Sequence, residues 1–188
     1  MSAGGHGHGH ADHADHGGNK GVALLISVLA LILAFAETLG KGAQTGALAY
    51  NIEASNLWAF FQAKTIRQTV LRTAAEEMES GSPSEAQKKQ LSKWKDTASR
   101  YQSEPDTGEG REQLAARAKE AEKRRDTSMT AYHHYELASA AVQIAIVLAS
   151  ASIIAEIVAL AWAGAALGVV GVVFCAIGFV APNALHIF

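Results

Sequence analysis

"GVALLISVLALILAFAETL", residues 21–39, decides how the rest of the chain is read. As a helix rising about 1.5 Å per residue it is roughly 28 Å long, close to the hydrocarbon thickness of a bilayer. It predicts a first transmembrane span over residues 21–40. Outward from it, the sixteen Lys and Arg all lie from Lys20 to Arg125, and beyond Arg125 the only formal charges are Asp126, Glu136 and Glu156. A mean hydropathy of +0.08 therefore averages a charged middle with two apolar ends.

The second apolar end, residues 137–181, is too long for one span and about right for two. It divides into spans over 137–158 and 162–182, with the turn expected near residues 159–164, where Trp162 suits the headgroup level. A short tail, 183–188, closes the chain. Ala34-Phe35-Ala36 has the small-x-small order of a cleavage site, so a cleaved leader competes for the first segment. A twenty-residue tail with two aspartates and one lysine ahead of it, and an apolar stretch long enough to span, favour an anchor.

Lys41 directly follows the first span, and Lys119, Lys123, Arg124 and Arg125 stand close before the second, whereas Lys20 alone flanks the other side. This bias puts the middle region in the cytoplasm with the C-terminus, and the N-terminus outside, as in a bacterial inner membrane. The single Cys175 excludes an intramolecular disulfide.

Residues 41–136 read as helix, broken at "SGSPS" (80–84) and "SEPDTGEG" (103–110). The order Ser82-Pro83-Ser84-Glu85 predicts a capping box with Ser82 as the cap. The helix that follows carries a narrow stripe of Leu91, Trp94, Ala98 and Tyr101. Its expected partners are a broad apolar side of Leu48, Ile52, Leu57, Phe61, Ile66 and Val70 before it, and Leu114, Ala118, Ala121 and Met129 after it. The fold class is thus an all-α membrane protein with three transmembrane helices and a coiled-coil or three-helix stalk inserted between spans 1 and 2. A last helix running unbroken from 111 to 158 would be roughly 72 Å long.

"NLWAFFQAKTIRQTVL" (56–71) and "LASAAVQIAIVLASASII" (137–154), with a polar N-terminal tail, one span, a charged helical middle and a closing hairpin, resemble the uncharacterised bacterial membrane-protein family grouped as domain of unknown function 4337. The most specific element is the Asn-x-Trp-Ala-aromatic-aromatic-Gln-Ala-Lys run, 56–64. The resemblance implies location and architecture, and it carries no activity to transfer.

Chemistry is argued from the residues. The tail, residues 1–20, holds His6, His8, His10, His13 and His16 with two aspartates. Such a set can wrap zinc, copper or nickel, but on a flexible, unstructured chain it binds weakly and without selectivity, so no resident cofactor is expected. Glu37 and Glu156 are carboxylates in or near the spans, and each is open to two readings, an interfacial acid or part of an ion path. Chain direction puts them near opposite membrane faces, so they do not pair. Adjacent His133 and His134 read as an interfacial belt.

Small residues recur at helical spacing: Ala23, Ser27, Ala30 and Ala34 in the first span; Ala145, Ala149, Ser152 and Glu156 in the second; Gly164, Gly168, Gly171 and Gly178 in the third. Such faces let helices approach closely in lipid, within one chain or between copies, which favours a homo-oligomer. The middle holds fifteen Lys and Arg against fourteen Asp and Glu, a net charge of +1 that provides no field for nucleic acid. Asn56, Trp58, Phe61, Gln62 and Lys64 stand as a candidate partner-binding set, with stalk packing as the competing reading. Phosphate loop, HExxH, nucleophile elbow and cysteine pair are missing, so no enzyme is expected.

The resulting expectation is a membrane scaffold or accessory subunit, in contact with the bilayer, with its own copies and with an unidentified membrane or cytoplasmic protein. The alternative is a small oligomeric channel or cation transporter whose His-rich tail collects metal.

Overall fold

The computed structural model describes residues 15–184, with side chains from residue 20 onward. Among the described residues there are four α-helices and no strand: α1 Asp15–Ser80, α2 Glu85–Gln102, α3 Arg111–Ala155 and α4 Val158–Val180, followed by a short 3-10 turn, Pro182–Ala184. The all-α class is thus established. The helices α1, α3 and α4 are each long and apolar enough to cross a membrane. The two breaks fall where Gly and Pro place them. Of the tail expected over 1–20, residues 15–20 are helical and begin α1, and residues 1–14 lie outside the described residues.

The chain divides into two compact units, residues 1–43 with 130–188, and residues 44–129. In the first, α3 turns inward Tyr135, Ala138, Val142, Ala145, Ala149 and Ser152, alternating three and four along the chain. That is the 3.5-residue repeat of helices packed nearly side by side. Leu29 of α1 joins Val142 and Ala145 in the core, with Leu25, Ile32, Leu33, Ile146 and Leu167 against it. All four glycines of the α4 stripe are buried. A methyl group on Gly164 would stand 2.8 Å from the Ala145 carbonyl oxygen, and one on Gly171 3.1 Å from that of Ala138. These glycines therefore set how near α4 comes to the α3 backbone. The expected small face of the first span behaves otherwise: Ala23, Ser27, Ala30 and Ala34 are exposed, because the packed side of α1 is that of Leu29, Ala36 and Gly40.

Two local expectations are corrected. The turn between α3 and α4 is at residues 156–157 and not at 159–164, so Trp162 lies on α4, 74% exposed. The only charge beyond Glu136 ends the helix: Glu156 is exposed and takes a left-handed conformation, φ 56°. The cap of α2 is Ser84 and not Ser82. Ser82 has φ 58° and belongs to the turn that leaves α1, so the reciprocal hydrogen bonds form one step later, between Ser84 and Gln87.

The second unit packs three helical segments. Ala54 and Leu57 of α1 meet Leu114, Ala118 and Ala121 of α3, with Trp58 and Phe61 against them. From α2, Leu91 and Ala98 are buried and Trp94 and Tyr101 half-buried, as their spacing predicts. The broad apolar side expected of α1 does not hold. Leu48, Ile52, Ile66 and Val70 are 53–64% exposed, and Met129 of α3 is 44% exposed. Inward instead face Ala47, Ala54, Leu57, Lys64, Gln68 and Ala75, which with the half-buried Tyr50, Phe61 and Leu71 between them complete the 3–4 alternation, and most of the buried positions are small or polar.

Candidate functional site

The run 56–64 lies on α1 in the second unit, where the inward positions change from Ala54 and Leu57 to Phe61, Lys64 and Gln68. Polar side chains in a packed seam need partners, because an unpaired buried ammonium or amide loses its hydration without return. The loop 103–110 and its flanks supply them. The Lys64 side chain is 6% exposed, with its Nζ 3.7 Å from Glu104 Oε2 and 3.5 Å from Glu109 Oε2. The same ammonium stands over the rings of Phe60 and Tyr101, 5.2 and 5.6 Å from their centroids.

Four residues further along α1 the amide of Gln68, 2% exposed, joins all three helices. Its Nε2 donates to the Ala98 carbonyl of α2 at 2.8 Å, and its Oε1 accepts from Arg111 Nη1 of α3. The Arg111 guanidinium lies on the Phe61 ring, 4.9 Å from the centroid, and also donates to Gln102 Oε1 at 3.2 Å.

The loop is tied by its own bonds as well. Gln113 Nε2 donates to Ser103 Oγ at 3.0 Å while its Oε1 accepts the Glu104 N–H at 3.2 Å. Gly110 has no room for a side chain, since a methyl there would stand 2.8 Å from Ser103 Cα. Arg100 pairs with Glu104. The hydrogen bond from Arg100 holds the Glu104 carboxyl below the usual carboxylate range, helped by the Thr107 hydroxyl and the Lys64 charge against partial desolvation. The bonds from Gln102 and Ser103 lower Glu112 in the same way. Trp58 completes the cluster: its Nε1 donates to Glu122 Oε1 at 2.9 Å, and its ring meets Phe61 edge-on at 5.4 Å.

The five residues of the run therefore do not form one face. Lys64 is buried, Phe61 and Trp58 are half-buried, and Asn56 and Gln62 are exposed. The inward members clasp loop to helix. Gln68, Glu104 and Arg111, which the motif reading missed, do as much as Lys64. Continuing the 3–4 count from Leu57 through Phe61 and Lys64 to Gln68 would have exposed the polar break. Beside the run, a cleft of about 510 Å³ is lined by Thr45, Leu48, Asn51, Arg125 and Met129 among others.

The other candidates lie apart. His6, His8, His10 and His13 fall outside the described residues, as does the side chain of His16. Among the described residues no group of three His, Cys, Asp or Glu is arranged to hold a metal. Glu37 is exposed on α1; the nearby Gly40 meets Tyr135, which lies twenty-one residues before Glu156 on the chain, roughly 30 Å of helix. The two carboxylates are accordingly separate. The two adjacent histidines differ in burial. His133 faces Glu136 at 3.6 Å. His134 is 1% exposed, with Nε2 3.0 Å from the Pro182 carbonyl oxygen and its ring stacked with Phe174.

The family model for the domain of unknown function DUF4337 matches residues 18–181, nearly the whole chain. The chain belongs to the DUF4337 family. No curated protein and no solved structure matches it. The clasp around Lys64 and the glycine face of α4 both lie within the stretch this DUF4337 chain shares with its family.

Proposed function

We propose that this DUF4337 protein is a non-enzymatic membrane scaffold or accessory subunit of a bacterial inner membrane, in which three spans anchor a cytoplasmic helical unit that gathers protein partners. The observation that carries the reading is that α1 and α3 each combine an apolar stretch of spanning length with a charged stretch in the unit 44–129. The outward side of α4 supports it. Val169, Val173, Phe179 and Val180 are 50–78% exposed, a surface too apolar for water and suited to lipid.

Within the unit 44–129 the Lys64 ammonium and the Trp58 N–H of the conspicuous run are engaged by Glu104, Glu109 and Glu122, and what the unit offers outward is helix surface. Several of its charges are paired locally, as in Lys88 with Glu85, Lys95 with Glu79 and Arg124 with Glu120. Such pairs solubilise a surface and contribute little energy.

The test is lysine cross-linking in native membranes followed by mass spectrometry. The reading expects reproducible links from Lys88, Lys89, Lys93, Lys119 or Lys123 to a second polypeptide. Cation flux through the purified protein in liposomes, with no such links, would overturn it in favour of a channel.

A further inference from the structure

Within the unit 44–129, α1 carries a second 3–4 repeat on the side away from Leu57 and Gln68. Thr45, Ala49, Ile52, Asn56, Ala59, Ala63, Ile66, Val70 and Thr73 follow one another at four and three without a charge, and all are exposed except Ala63, which is half-buried. Ile52, Ile66 and Val70 are 53%, 64% and 60% exposed, as is Leu48 beside them at 61%. Scattered apolar residues on a surface need no explanation, but a spacing of 3.5 sustained over four heptads matches the seam of a coiled coil. We infer that this stripe is the contact between two copies of the chain, which pair through α1 as a parallel, in-register coiled coil.

Three observations commit the stripe to a second copy. Ala49, Asn56, Ala63 and Val70 occupy the a positions and Thr45, Ile52, Ala59, Ile66 and Thr73 the d positions, which places Asn56 at the centre of the seam on an a position. One asparagine at a is the device by which parallel coiled coils fix register and strand number, because each amide finds its mate only in the in-register pair. Asn56 is exposed, and its side chain has no hydrogen-bond partner among the described residues.

The flanks are compatible with the same pairing. In a parallel pair the g residues Leu48, Ser55, Gln62 and Thr69 face the partner's residue five further on, here Glu53, Phe60, Arg67 and Ala74, and no like charges meet. Gln62 opposite Arg67 supplies an acceptor for a guanidinium. Finally, the sequence carries the same alternation back through Gly42, Thr38, Phe35, Leu31 and Val28 to Leu24, again without a charge. A water-soluble partner cannot follow a seam into lipid. A copy inserted in the same orientation presents the same seam at the same depth, and on this point the inference rests on the proposed membrane reading. Asn56 and Gln62, left out of the clasp, thereby gain a role.

The test uses the full chain in a Cys175→Ala background, with Ile52→Cys, Ala59→Cys and Ile66→Cys at d positions and Arg72→Cys as an exposed control outside the seam. Mild oxidation in membranes should give a disulfide-linked species of twice 19.8 kDa from the three d positions and not from Arg72→Cys. Native mass spectrometry should show one oligomeric state for the parent and a mixture of states for Asn56→Val, as loss of the a-position amide relaxes strand number. Equal linking at all four positions, no linking at any, or an unchanged state in Asn56→Val would overturn the pairing. Adducts of the d-position cysteines with a different polypeptide would overturn the second copy while leaving the scaffold reading in place.

Discussion

Replacing Gly164 by alanine should push α4 off α3, and the same replacement at Gly168 should not. The new methyl at 164 meets backbone, 2.8 Å from the Ala145 oxygen and 3.3 Å from the Ala149 nitrogen, and neither atom can rotate away. Relief requires a retreat of roughly 0.5 Å, enough to forfeit about a quarter of the dispersion attraction along the contact. Overpacking of this kind costs about 1–3 kcal/mol, and the better helix propensity of alanine returns about 1 kcal/mol, leaving a net loss of up to about 2 kcal/mol. At Gly168 the methyl meets Leu29 Cδ2 at 2.5 Å and Leu29 Cγ at 3.8 Å, the free end of one side chain. A rotamer change clears it, so propensity decides and stability holds or rises. The assay is thermal unfolding of the full chain in mild detergent, where about 1 kcal/mol shifts Tm by roughly 2–4 °C for a chain of this size. Gly164→Ala should melt lower by that order, and Leu29→Ala should leave the deficit unchanged. A Gly164→Ala protein that melts at or above the parent, or a Gly168→Ala protein that melts below Gly164→Ala, would refute the argument that backbone approach sets this interface.

Gln68→Leu should destabilise the unit 44–129 by about 1–3 kcal/mol, because it leaves the Arg111 guanidinium short of an acceptor; adding Arg111→Leu should recover part of the loss in a double-mutant cycle followed by urea unfolding. The Glu104 and Glu112 carboxyls titrate below their ordinary range in the folded chain, so their contribution is complete above the unfolded carboxylate pKa, near 4.5, and is lost as pH falls through the lower folded values. Amide hydrogen exchange across residues 103–110 should therefore accelerate in that acid window, relative to the intrinsic rate, and not between pH 6 and 8. At Glu156, where φ is 56°, Glu156→Gly should fold with a Tm close to the parent, and Glu156→Val should lower it, since a β-branched residue resists the left-handed region.

The element order was legible because it depends on coarse signals. Uninterrupted apolar runs mark α1, α3 and α4, and Gly-Pro clusters at 80–84 and 103–110 mark the breaks. The glycine face of α4 was legible for the same reason, as the spacing of Gly164, Gly168, Gly171 and Gly178 leaves one side without side chains. What failed was the inward side of α1. Size suggested that Leu48, Ile52, Ile66 and Val70 face the core, yet an antiparallel neighbour at close range selects Ala47, Ala54 and Ala75, and the large residues are left outside. Hydrophobicity ranks residues by transfer energy, and helix proximity ranks them by volume; on a helix with two usable stripes the two criteria disagree.

The clasp was hidden for a different reason. Lys64 and Gln68 read as solvent residues until the loop carrying Glu104 and Glu109 is placed beside them, and that pairing spans some forty positions of chain. The α3–α4 turn was misplaced because apolarity alone was counted, whereas the carboxylate of Glu156 needs water and ends the helix at Ala155.

The central claim is that the apolar stretches cross a bilayer and leave the unit 44–129 on the inner side. Single cysteines at Ser103 and Glu156 in a Cys175→Ala background test it most directly, with an impermeant maleimide added to intact cells and then to opened ones. The account predicts that Glu156→Cys labels in intact cells and Ser103→Cys only after opening. Labelling of Ser103→Cys from outside, or of both positions from the same side, would contradict it.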